Sequence, residues 1–124
     1  MITEQVAKVM RGNLKKIAKK GVKLEDARLK IGLEPTGEPY ITAMSGRTEI
    51  ERLGWGKVLG LMFALAPQVE ESIHNKLTGL SESEGIPVEL INVRISAADK
   101  KANPRAHLFN GDKLVRAAEI EELV

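Results

Sequence analysis

Apolar residues recur at helical period at the start of the chain and switch to period two soon afterwards. Ile2, Val6, Val9, Met10, Leu14 and Ile17 make one stripe that ends at Gly21, with Thr3 placed to cap it, so the spacing predicts an amphipathic helix over 1–21. Ala27, Leu29, Ile31 and Leu33 then alternate with Arg28, Lys30, Gly32 and Glu34, which gives a strand one apolar face. Pro35 to Pro39 reads as a turn and Tyr40 to Met44 as the second strand of a hairpin. The run Gly56 to Ala66, GKVLGLMFALA, carries a single charge and is preceded by Thr48-Glu-Ile-Glu51, the spacing of a capping box. A buried helix from Thr48 to about Leu65 is the expectation, since a membrane span needs about 20 apolar residues. Pro67 marks a joint to a second helix, with Val69, Ile73, Leu77 and Leu80 as its stripe and its end at Gly79-Leu80. Ser81 to Pro87 reads as a polar loop.

The β-branched stretch Val88 to Ala97 is expected to be an inner strand with Val93, Ile95 and Ala97 toward the helices. Asn110-Gly111 is a strong hairpin signal between Ala106–Phe109 and Asp112–Arg116, although 112–123 also fits one helix, and Ala117 to Leu123 reads as a short acidic helix. The fold expected is therefore α+β: a single two-layer domain over 1–124, mainly antiparallel sheet packed against a central buried helix pair. Its N-terminal basic amphipathic helix spans 1–21 and its α+β core 22–124.

Charge adds an asymmetry to this pattern. The net value is only +2, yet residues 1–30 hold nine Lys and Arg against three acids, and the remainder ten against fourteen. Cysteine is absent, which excludes disulfides, thiolate metal sites and cysteine nucleophiles and makes a reducing cytoplasm the expected compartment. The opening MITEQVAKVM has no basic cluster followed by an apolar run, so no secretory signal is expected.

Candidate chemistry is sparse. Lys8, Arg11, Lys15, Lys16 and Lys19 oppose the apolar stripe of the first helix, a face suited to an acidic protein surface, to nucleic-acid backbone, or simply to water. No Trp or Phe lies on the apolar side, so a membrane is not expected as partner. Ser45, Gly46 and Arg47 precede the expected helix at Thr48, where free amides could hold an anion, although Glu49 and Glu51 already occupy that first turn. Gly54, Gly56 and Gly60 miss the dinucleotide-binding spacing by one residue. Glu71-x-x-His74 occurs once, whereas a carboxylate-bridged di-iron site needs it twice, so a surface histidine is expected and no metal. Arg94, Asp99, Arg105 and His107, with Glu89 nearby, would share a pocket if the late strands pair. Two histidines thirty-three positions apart, with no nucleophile beside a base and no phosphate loop, assign no catalytic residue and no cofactor.

The segments GEPYITAMSG (37–46), GKVLGLMFAL (56–65) and VEESIHNKLTGL (69–80) together resemble the small TSCPD-type domain attached to cobalamin-dependent ribonucleotide reductases. The resemblance covers about residues 28–80 and implies a strand pair, a helix, and a helix closing on Leu-x-Gly. The cysteines of that family are missing, so its redox or metal chemistry is carried over to no residue of this chain. The functional expectation is a non-catalytic interaction protein or accessory subunit, oligomeric, docking through its basic helix on a protein partner or on the Glu119 to Glu122 region of a second copy. A nucleic-acid-binding module using the same helix, and a small enzyme or ligand-binding domain with a pocket near Arg94, Arg105 and His107, are the alternatives.

Overall fold

In a computed structural model, which describes residues 2–98, 101 and 103–124, the chain forms a six-stranded antiparallel sheet with its helices on one side. The elements are α1 (Ile2–Lys19), β1 (Ala27–Leu33), β2 (Pro39–Ser45), β3 (Thr48–Leu53), α2 (Trp55–Leu59), α3 (Ala66–Glu84), β4 (Ile91–Ala97), β5 (Pro104–Asn110) and β6 (Lys113–Ala118). Short 3₁₀ turns occupy Leu24–Asp26, Gly60–Leu65 and Ile120–Glu122. The strand order is β3-β2-β1-β4-β5-β6, so two three-stranded meanders meet where β1 pairs with β4 at the centre, with Ile31 opposite Val93 and Lys30 opposite Arg94.

The alternation of each central strand decides which side the helices cover. Leu29 and Ile31, Ile41 and Ala43, Val93 and Ile95, and Ala106 and Leu108 are all buried on one face. Val6, Met10, Leu14 and Ile17 of α1 and Val69, Ile73 and Leu77 of α3 close over them in one core. Asn13, on the flank of the α1 stripe, ties α1 to α2: its Nδ2 donates to Val58 O at 2.9 Å while also donating to Val9 O at 2.8 Å. Trp55 Nε1 donates to Pro39 O at 2.9 Å, which fixes α2 against the end of the first hairpin. No helix among the described residues is long and apolar enough to cross a membrane.

The expected central helix is absent, and with it the buried helix pair built on it. Thr48 to Leu53 is the edge strand β3, hairpin-bonded to β2 with Ile41 opposite Leu53 and Ser45 opposite Thr48. The capping box is a local signal worth about 1 kcal/mol. Pairing with β2 satisfies the backbone groups along one side of the segment, and the side chains add cross-strand ion pairs: Lys30 Nζ to Glu49 at 3.1 Å, and Arg52 to Glu34. The apolar run that follows is split. Trp55, Val58 and Leu59 are buried, but Gly60 sits at φ +58°, ψ −119°, a conformation open essentially to glycine alone. The chain turns there, and Leu61 and Phe63 emerge exposed. The helices over the core are α1 and α3, and α3 runs past Gly79 to Glu84 before ending at Gly85, so Ser81 to Glu84 is helix rather than loop. The second hairpin forms as the Asn-Gly pair predicts, which excludes one helix over 112–123, and the acidic tail is a single 3₁₀ turn.

Candidate functional site on the uncovered sheet face

The residues that alternate with the core form the other face of the sheet, and α1, α2 and α3 all pack into the core on the opposite side. Reading across it, Arg52, Thr42, Lys30, Arg94 and His107 make one row, and Met44, Arg28, Ser96 and Arg105 the next. Lys30 and Arg94 stand directly opposite each other, a like-charge pair that costs stability unless each is answered. Glu49 answers Lys30, and Asp112, brought in by the Asn110-Gly111 turn, accepts from Arg94 Nη2 at 2.7 Å.

Arg94 is the best-held side chain on this face. Only 5% of it is exposed; Nε donates to Asn92 Oδ1 at 3.1 Å and Nη2 also donates to Gly111 O at 3.1 Å. Its guanidinium lies 4.2 Å from the centre of the Phe109 ring, and such a stack gains strength as water is excluded. Asn92 donates to Leu90 O and Gly111 O, both at 3.0 Å, so the turn carrying Asp112 is fastened to β4 at several points. On the opposite side of the face Tyr40 lies flat over Gly32: a Cβ at Gly32 would come within 2.6 Å of the Tyr40 hydroxyl oxygen. Arg52 covers that ring at 4.7 Å.

On the side of Arg94 away from Tyr40 lies a concavity of about 480 Å³ lined by Arg28, Arg47, Arg94 and His107, with Phe109 and Leu114 as an apolar wall and Asp112 at the rim. The backbone carbonyls of Glu25 and Ala27 hold Arg28, accepting from Nη1 at 2.6 and 3.0 Å. Neither Arg28 nor Arg47 has a carboxylate partner among the described residues. Burial lowers the pKa of His107 below the usual histidine value, and the charges of Arg105 and Arg28 lower it further. The Arg94 hydrogen bond and charge hold the Asp112 carboxyl below the usual carboxylate range, and Lys30 and Arg47 add to this from farther off. Two guanidinium groups without carboxylate partners, that of Arg28 held by two backbone carbonyls, can bind an anion through their remaining N–H donors. Ser96 and His107 both line the concavity, and no hydrogen bond joins them.

Residues from two separate sequence candidates meet here. Gly46 and Arg47 line the concavity from the tip of the β2–β3 hairpin, whereas Ser45 pairs within the sheet and does not. The helix N-terminus expected to hold an anion beside them does not exist, because Thr48 opens a strand. Arg94 and His107 are neighbours across β4 and β5, and Arg105 is one row away, contributing its charge. Asp99 lies outside the described residues. Glu89 is exposed in the loop before β4 and does not line the site. Arg28 was visible in the sequence only as an outward position of a strand; its role depends on the β1–β4 pairing.

On α1, Lys8, Lys15, Lys16 and Lys19 are exposed, but Arg11 is half-buried and reaches Asn103 Oδ1 at 3.4 Å, so it does not belong to the free basic face. His74 donates from Nδ1 to Gly37 O at 2.7 Å on the surface, and no group of three or more metal-ligating side chains occurs among the described residues. No protein-family model, curated protein or solved structure matches this chain.

Proposed function

We propose that this protein is a non-catalytic binding domain whose uncovered sheet face takes a phosphate-bearing ligand with an apolar or aromatic body. The observation that carries this reading is the convergence of Arg28 and Arg47, both without a carboxylate, on one concavity beside Phe109 and Leu114. At about 480 Å³ the space falls within the range of about 300–1,000 Å³ usual for small-molecule clefts. The phosphate meets the guanidinium forks and the body lies along the apolar wall. The two aromatic rings of this face, Tyr40 and Phe109, already carry guanidinium lids, which favours one compact ligand over a strand of stacked bases.

Titration with pyrophosphate, a mononucleotide and a single-stranded oligonucleotide, followed by calorimetry and amide chemical shifts, tests the proposal. Saturable binding with shifts clustered at Arg28, Arg47, Arg94 and His107 is expected. Replacing both Arg28 and Arg47 by Ala should weaken binding by roughly a hundredfold, about 1.4 kcal/mol for each charge-assisted contact. Asp112→Asn, which removes a competing carboxylate, should strengthen it. Unchanged binding by the double variant overturns the reading. Oligonucleotide binding that maps to Lys8, Lys15 and Lys19 would instead favour a nucleic-acid module working through α1.

A further inference from the structure

The edge strand β3 has backbone groups without a strand partner on its outer side, and α1 does not close over it. Between Ile17 of α1 and Ile50 and Leu53 of β3, with Ala43 beneath, an apolar groove of about 310 Å³ stays open. Its rim carries Lys16, Lys19, Lys20 and Lys57 against one carboxylate, Glu51, which already accepts from Lys20 at 2.6 Å. The hydrogen bond and charge of Lys20 hold the Glu51 carboxyl below its usual pKa, and Lys57 adds its charge to the same carboxylate. Lys16, Lys19 and Lys57 have no carboxylate partner among the described residues. Ile50, 46% exposed, sits at the register shift of the β2–β3 ladder.

An unpaired strand edge, an apolar slot and three uncompensated lysines thus coincide on the side of β3 away from the arginine-lined concavity. We propose that this is a docking site for an extended segment of a partner protein in which acidic and apolar residues alternate. The segment adds a strand to β3, seats an apolar side chain against Ile17, Ile50 and Leu53, and sets its carboxylates on Lys16, Lys19 and Lys57. Each part of the ligand answers one feature: main-chain amides the free edge, an aliphatic group the slot, and negative charge the rim. A second copy of this chain is a poorer occupant. Its β6 edge would bring Lys113 against the lysines, and its β3 edge offers Glu49 and Glu51, which already have cationic partners. A fatty acid would fill the slot but leave the strand edge unpaired.

The test is fluorescence polarisation of a labelled pool of eight-residue synthetic peptides alternating Asp or Glu with Val, Leu or Ile, with amide shifts recorded on the protein. Saturable binding with shifts across residues 48–53 and at Ile17 is expected. The same pool N-methylated at alternate amides, which keeps the side chains but blocks strand addition, should bind roughly a hundredfold more weakly. Lys19→Glu with Lys57→Glu should weaken the parent pool roughly tenfold or more while melting as the unaltered protein does. No binding by the pool, equal binding of the methylated pool, or shifts confined to Arg28 and Arg47 would overturn the proposal. So would dodecanoate occupying the groove where the peptides do not. A loss of phosphate binding in the Arg28 and Arg47 variant leaves this result untouched, because the two sites share no residue.

Discussion

The two faces of the sheet come from the same strands one residue apart. On β1, Leu29 and Ile31 point to the helices while Arg28 and Lys30 point away; on β4, Val93 and Ile95 oppose Arg94 and Ser96. The inward face is closed by packing, which has no direction and tolerates any aliphatic side chain of the right volume. The outward face is closed only in part, and by directed contacts: Tyr40 laid over Gly32, and Arg94 held by Asn92, Gly111, Asp112 and the Phe109 ring. Asn92 and Arg94 are buried there by these contacts, outside the core that the helices close. If the open face takes the proposed phosphate ligand while packing on the covered face holds the fold, substitutions on the two faces should separate anion binding from stability.

The largest effect is expected on the covered side. Ile31→Ala removes a fully buried side chain at the β1–β4 centre and should cost about 3 kcal/mol in urea unfolding, leaving pyrophosphate affinity unchanged in the folded fraction. Its neighbour Lys30→Ala, on the open face, should stay within about 0.5 kcal/mol. A cost for Lys30→Ala equal to that of Ile31→Ala would erase the distinction between the faces.

Arg94→Ala comes next. It strips Asn92 Oδ1 of its donor, leaves Gly111 O with the Asn92 Nδ2 bond alone and removes the partner of Asp112, so a loss of about 2 kcal/mol is expected together with loss of anion binding. Arg94 is thus the one position where the two properties fall together, and a variant that binds normally would show that the face is organised without it.

The smallest effect is the dependence on pH. Because the folded protein depresses the His107 pKa, the unfolded chain takes up the proton first as pH falls through about 6.5. The His107 contribution is therefore fully present above pH 6.5, declines as pH drops toward the folded value, and is constant below it. His107→Gln should remove that slope from the stability profile. An anion seated beside the imidazole raises its pKa, so binding of sulfate, whose charge does not change in this window, should tighten as pH falls and couple to proton uptake. A His107 titration followed by NMR that is identical with and without sulfate would place the anion elsewhere.

Much of this architecture is legible in the order of residues. The α1 stripe, the alternation of β1 and β2, the central place of β4 and the Asn110-Gly111 hairpin follow from periods and turn residues, because each such signal and the structure it specifies span only a few neighbouring positions. Thr48 to Leu65 misled for the same reason: its capping box and apolar run are local helix signals, outweighed by pairing to β2 and by the positive φ of Gly60.

The candidate binding face was only half legible. Arg47, Arg94 and His107 stood out as charged or titratable groups in strands and turns, but in two unrelated candidates, and Arg28 in neither. What joins them is the antiparallel contact of β1 with β4, between segments about sixty residues apart, and no pattern in either strand names its partner. The order of residues alone thus determined which side chains share a face of each strand, since that depends only on the two-residue period. Which strands lie side by side, and hence which arginines surround one cavity and which strand is left as a free edge, was decided by how helices and sheet bury their apolar surface together.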